Sequence, residues 1–140
     1  MQAGWDSDCM DVRPVFRGLA EAGIAGKDIA EILCVAPSTV SKWRRGTLCP
    51  PDASLQFMTL VLADRIGSRE RTLDAMVDAP LAWRLGRESE MSAMRQALRQ
   101  QEAVNRTLPA AAIRDGALLY RAWLAKMSPM QPWRRSERAA

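Results

Sequence analysis

The sequence predicts an all-α protein, on three observations. Hydrophobic residues make up 48% of the chain, yet only 6% are Phe, Trp or Tyr, and Val and Ile are few. Ala, Leu, Met, Arg and Glu dominate instead, the residues that lose least on entering a helix. Nowhere do apolar and polar residues alternate with the period of two that marks a half-buried strand, whereas spacings of three and four recur. At 140 residues the chain has room for one domain, or for a small domain with an appendage.

Residues 1–10 read as a flexible arm, acidic and without the apolar centre of a signal peptide. A first helix is expected over Asp11–Ala22, with Val15, Phe16, Leu19 and Ala20 as its buried stripe and Gly23 as its stop. Two short helices follow, over Lys27–Leu33 and Pro37–Arg45, the second ended by Gly46. Thr47-Leu48-Cys49-Pro50-Pro51 then forms a stiff loop. A longer helix over Asp52–Ile66 has Leu55, Met58, Leu62 and Ile66 on one side and Phe57, Leu60 and Val61 on the other, as a central core helix would. Gly67-Ser68 predicts a break, with Ser68 capping a short fifth helix to Val77.

Asp78-Ala79-Pro80 marks the clearest boundary, and Leu81, Trp83 and Leu85 are expected to pack back across it. A helix over Ser89–Leu108 carries Met91, Met94, Leu98, Val104 and Leu108 in a stripe that Gln101 interrupts. Pro109 separates it from a last helix over Ala110–Met127, which offers Ile113, Ala117, Leu118, Tyr120 and Leu124 for burial. The final segment has two prolines and three arginines and is expected to be disordered. The chain thus divides into an arm (1–10), a domain (11–79), a helical extension (80–127) and a basic tail (128–140).

The densest pattern is GKDIAEILCVAPSTVSKWRRG, residues 26–46. Ile29, Ala30, Leu33, Val35, Val40 and Trp43 fall where two short helices crossing steeply must touch. Ala30 is small at the point of closest approach. Val40 and Trp43, three apart, plug the second helix onto a core, with Trp43 a packing anchor and not a base-stacking group. Ser38, Thr39, Ser41, Lys42, Arg44 and Arg45 are left on the outer face. Short hydrogen-bonding groups mixed with long cations suit a helix that enters a DNA groove.

This stretch resembles the helix-turn-helix of the Cro/CI-type (Xre-like) transcriptional regulators. The family's small first-helix residue, turn residue, two apolar second-helix positions and terminating Gly correspond to Ala30, Cys34, Val40, Trp43 and Gly46. The likeness extends over about residues 11–67, and it implies a five-helix lambda-repressor-like DNA-binding domain with a helical C-terminal extension. Two positions depart from the pattern: Cys34 stands where Gly is usual, and Ala36-Pro37 where a Ser or Thr cap is common. A left-handed backbone at Cys34 would cost on the order of 1–2 kcal/mol. Pro37 still suits a first helical position. By resemblance, Pro37, Ser38, Ser41 and Lys42 face base edges. Lys27, Thr39, Arg44, Arg45 and Thr47 are the corresponding phosphate contacts, which fix register.

Charge placement agrees with that reading. The net charge is only +4, but residues 1–40 hold six acids and three bases, while residues 41–50 hold Lys42, Arg44 and Arg45 and no acid. Residues 80–127 are again basic, with eight bases against four acids. The chain contains no His. It also lacks a Gly-rich phosphate loop, a Ser or Cys beside an evident base, and paired carboxylates, so no enzyme is expected. Three cysteines supply no metal site, and no cofactor or small-molecule ligand is expected. Their odd count suits no disulfide framework, Cys34 reads as a small core residue, and a reducing cytoplasm, bacterial or of a phage-infected host, is the expected location. No run approaches the roughly 20 apolar residues of a membrane span.

The function so predicted is a transcriptional regulator, a repressor binding double-stranded operator DNA as a homodimer through residues 37–45. Residues 80–127 then serve as a dimerising antiparallel hairpin, fold back on their own domain, or bind another protein. The alternative function is an interaction module, antitoxin-like or a phage inhibitor, that acts through those C-terminal helices with DNA binding secondary.

Overall fold

The structure is a computed structural model that describes residues 12–127; the expected arm and tail, 1–10 and 128–140, lie outside the described residues. Among the described residues every regular element is a helix: α1 Arg13–Glu21, α2 Gly26–Leu33, α3 Pro37–Arg45, α4 Asp52–Ala75, α5 Leu81–Asn105 and α6 Ala110–Met127. None of them is long and apolar enough to cross a membrane.

Three local signals act as the sequence predicts. Gly23 ends α1 with φ at 82°, and the Ile24 N–H turns back to the Leu19 carbonyl at 3.0 Å. Pro37 opens α3, where its missing N–H has no partner to lose. Pro80 stands at the N-cap of α5, at the boundary the sequence marks.

The predicted break at Gly67-Ser68 is absent, so residues 12–79 hold four helices and not five. α4 continues through it to Ala75. Burial on both sides of the glycine and an ion pair beyond it outweigh its cost. Ile66 is buried and Leu73 packs on the core, while Glu70 accepts from Arg95 of α5 at 2.6 Å. Against those contacts a mid-helix Gly costs only about 1 kcal/mol.

α4 is the centre of the molecule. Leu55, Phe57, Met58, Val61, Leu62 and Ile66 are all buried, so both of its sides are covered. α5 packs on α4 and α1, whereas α6 packs on α4 and α2. The two helices after Pro80 therefore straddle α4 and do not form the antiparallel hairpin expected of them. Met91, Met94 and Trp123 belong to the same hydrophobic cluster as Val15, Trp43 and Phe57, so one core crosses residue 80.

The seams of these helices differ from the apolar stripes. Ala20 of α1 is exposed, and Gly18 takes its place against α4. On α5, which begins eight residues before the expected Ser89, the buried line is Met91, Met94, Ala97, Gln101 and Asn105; Val104 is exposed. Gln101 continues the seam because it is hydrogen-bonded, not because it is apolar. Its side-chain amide donates to Asn105 Oδ1 at 3.2 Å, and Asn105 Nδ2 donates to the Thr59 hydroxyl oxygen at 2.9 Å. Thr59 in turn donates to the Leu55 carbonyl at 2.9 Å. A buried polar chain of this kind is tolerated only when its members are paired.

On α6 the buried positions are Gly116 and Trp123, while Ile113, Leu118 and Leu124 of the expected set stay exposed. The Trp123 ring meets Phe57 edge to face at 6.0 Å. Leu81, Trp83 and Leu85, expected to pack back, are exposed as well. Cys49 is disulfide-bonded, which corrects the expectation that no disulfide forms, and Cys34 is free.

Gly116 is where α6 comes closest to α4. A Cβ there would lie 2.6 Å from Gln56 Cβ and 2.9 Å from the Ala53 carbonyl oxygen. Gly116→Ala should therefore lower stability by about 1–3 kcal/mol through overpacking. Gly86→Ala, in an open stretch of α5 with nothing within 4 Å, should raise stability by roughly 0.5–1 kcal/mol. Urea midpoints of the two variants should move in opposite directions.

Tyr120, the chain's single tyrosine, has its phenol raised above 10.0 by burial first, then by the Asp64 charge and the interaction of its hydroxyl with that carboxylate. The protonated phenol is thus favoured in the folded state, and its contribution is present below the unfolded value and lost as pH rises through the folded one. Absorbance titration near about 295 nm should show the native protein ionising at higher pH than the urea-unfolded chain. Asp64→Asn should narrow the difference.

Candidate nucleic-acid interface

α2 and α3 are joined by Cys34, Val35 and Ala36, and backbone hydrogen bonds close the turn. The Val35 N–H donates to the Ala30 carbonyl at 3.0 Å and the Cys34 N–H to the Glu31 carbonyl at 3.3 Å. This pair of bonds ends a helix through one residue in the left-handed region. Cys34 is that residue, with φ 57° and ψ 41°. Gly46 (φ 81°) ends α3 in the same way, with the Thr47 N–H on the Lys42 carbonyl and the Gly46 N–H on the Trp43 carbonyl, both at 3.0 Å. A glycine takes this conformation freely, whereas Cys34 bears a Cβ penalty on the order of 1 kcal/mol. Cys34 is also exposed, so it is not the core residue expected from its size.

The turn brings α3 down on its apolar side. Ala30, Val40 and Trp43 are buried together in the main cluster. The first turn of α2 runs over Val40: a Cβ on Gly26 would sit 3.5 Å from Val40 Cγ1. With two anchors three residues apart held below, the opposite side of α3 must face outward. Pro37, Ser38, Lys42, Arg44 and Arg45 are exposed there, and Thr39 and Ser41 are half-buried at its margins. α3 has nine residues, so this face is about 13 Å long, short enough to lie in a major groove.

Its electrostatics are one-signed. From Ile32 to Pro51 the chain has no acidic residue, and among the described residues no carboxylate pairs with Lys27, Lys42, Arg44 or Arg45. Glu31, the nearest acid before the turn, is engaged by Lys126 of α6. The last turn of α3 also favours cations through the helix dipole, by roughly 0.3–1 kcal/mol each. That term accounts for one or two bases at a helix end. It does not call for an uncompensated face.

The remaining predicted contacts are placed less uniformly. Lys27 lies exposed in the first turn of α2, beside helical N–H groups that have no intrahelical acceptor. Thr47 is exposed, but its hydroxyl donates to the Lys42 carbonyl at 3.2 Å and so closes α3. Leu48 next to it is 43% exposed, an apolar side chain at the end of this face that the sequence reading does not single out. Among the described residues no group of metal-ligating side chains gathers here or elsewhere. Compared with models of known families, with curated proteins and with solved structures, the chain matches none.

Relief of the strain at the turn gives a direct check on this geometry. Cys34→Gly should stabilise the protein by at most about 1 kcal/mol, read as a higher urea midpoint with unchanged slope, because the gain at positive φ is partly offset by the added unfolded-chain entropy. Cys34→Ala keeps a Cβ and should leave the midpoint nearly where it was.

Proposed function

We propose that the chain is a sequence-reading DNA-binding regulator, a member of the Xre-like helix-turn-helix class. In this reading α1–α4 supply a lambda-repressor-like core, with α5 in the place of the short fifth helix. The observation that carries it is the unpartnered basic face of α3, fixed from beneath by Val40 and Trp43 and entered through a tight left-handed turn. Pro37, Ser38, Ser41 and Lys42 lie along the first two turns of that helix, where base edges would meet it. Ser donates or accepts at most bases, and Lys prefers the guanine O6 and N7 acceptors. In this reading Lys27, Thr39, Arg44 and Arg45 are the phosphate contacts, with Thr47 reduced to a supporting role by its own hydrogen bond. Repression by occupying a promoter is the simplest action of such a module. A homodimer is its natural form, since one short helix spans few base pairs.

A second reading, a protein-interaction module, is favoured by the apolar side chains that residues 80–127 leave uncovered. Leu81 is 61% exposed, Leu85 54% and Leu118 55%. In that case a single partner protein, and not DNA, is the ligand.

Genomic pulldown of tagged protein, followed by sequencing, separates the two. The wild type should enrich a short inverted repeat, and the Lys42→Ala/Arg44→Ala variant should not; both side chains are exposed, so an unchanged urea midpoint should show the variant folded. With three to five phosphates neutralised per subunit, the log affinity of a dimer should fall against log salt with a slope of roughly −5 to −9. A flat salt response, or one co-purifying protein retained by the double variant, sinks the DNA reading.

A further inference from the structure

Beyond α3, the second concentration of positive charge surrounds a cavity. The C-terminal half of α4 and the N-terminal half of α5 part around a volume of about 260 Å³. Leu73, Met76, Met91 and Trp83 make its apolar wall, and Arg65, Arg69 and Arg87 make its cationic one. A single carboxylate, Glu90, lines it with them. Arg87 holds both oxygens of Glu90, at 3.0 and 3.2 Å, and Arg69 reaches one of them at 3.9 Å. Arg65 pairs with no carboxylate among the described residues. Three guanidinium groups against one carboxylate leave the lining with a charge of +2.

Folding alone does not explain that arrangement. Arg65 and Arg69 are four apart on one helix face, a spacing at which like charges repel. Arg87 is held over the Trp83 ring at 5.1 Å, which orders both groups at the rim. The ring stays 38% exposed.

We propose that this cavity binds a small monocarboxylate with an aromatic or short acyl body. The carboxylate completes the charge at Arg65, whose planar fork suits two oxygens at once. The body lies on Trp83, Leu73 and Met91. The volume falls below the range of about 300–1,000 Å³ that holds drug-sized ligands, which limits the body to one ring or a short chain. The positive lining excludes a cation, and the apolar wall gives a bare inorganic anion nothing to bury. The site stands independently of the DNA reading, because Arg65 lies thirteen residues along α4 from Asp52, roughly 20 Å from the end nearest α3.

The test uses the full-length chain, labelled with ¹⁵N and titrated with benzoate, trans-cinnamate and hexanoate to about 10 mM, a range that captures weak fragment binding. The five tryptophans give five indole N–H signals, and Trp83→Phe identifies the one required. At least one acid should shift the Trp83 indole and backbone amides within 65–91 saturably. Benzamide, its neutral counterpart, should bind about tenfold more weakly or not at all, and Arg65→Met should weaken the acid about tenfold or more. Arg65→Gln repeats the loss should Arg65→Met disturb the fold. No saturable shift with any of the three acids overturns the proposal. So does equal binding of benzamide or inorganic phosphate, or an affinity that survives both Arg65 variants. None of these readings involves DNA, so the two proposals stand or fall separately.

Discussion

A helix that is apolar nearly all round must be covered on nearly every side, and α4 imposes that demand on the whole chain. Leu55, Met58 and Leu62 point one way and Phe57 and Val61 another, and all are buried. A pair of short helices cannot cover 24 residues. Hence α1, α5 and α6 all lean on α4, and the residues after Pro80 complete the core that the residues before it begin. The closest seam is bought with a glycine at position 116, where any side chain would strike Gln56 and the Ala53 carbonyl. Set against this core, α2 and α3 form a small outlying pair, held by Ala30, Val40 and Trp43 and free to devote their outer surface to charge.

What was legible in the sequence is what local chemistry decides. The bounds of α3 could be read to the residue because Pro37 marks its start and Gly46 its end. Both act through their own backbone. Gly23 and Pro80 work likewise. The break expected at Gly67-Ser68 failed because the helix there is held by groups on α5, twenty and more residues away, such as the Arg95 guanidinium on Glu70. Gln101 looked like an interruption for the same reason: the chain of amides that satisfies it ends at Thr59, 46 residues from Asn105. On α6 the apolar stripe pointed about one position away from the real seam, since the contact is centred on a glycine, which hydrophobicity does not detect. Of the candidate site, the outward face and its anchors were readable, while the exposure of Cys34 and the capping bond of Thr47 needed the turn geometry.

Charge is distributed with the same economy. Three ion pairs tie part of this charge down, Glu31 with Lys126, Glu70 with Arg95 and Glu90 with Arg87. All three pairs are partly exposed, so their effect on stability is small, of the order of 1 kcal/mol or less each. Bases without a carboxylate partner stand at two separated places, Lys42, Arg44 and Arg45 on α3 and Arg65 at the cavity between α4 and α5.

The amide chain from Gln101 through Asn105 to Thr59 also determines what kind of motion the α4–α5 pair can make. A slip of one helical turn would leave these buried donors and acceptors without partners at a single stroke, a penalty of several kcal/mol. Sliding is therefore closed to this interface. Ala97, Met94 and Met91 continue the buried seam, and only before Met91 do the contacts become ion pairs and half-exposed side chains. The seam from Met91 to Asn105 is therefore fixed in register, and only the first turns of α5, around Trp83, lie outside it.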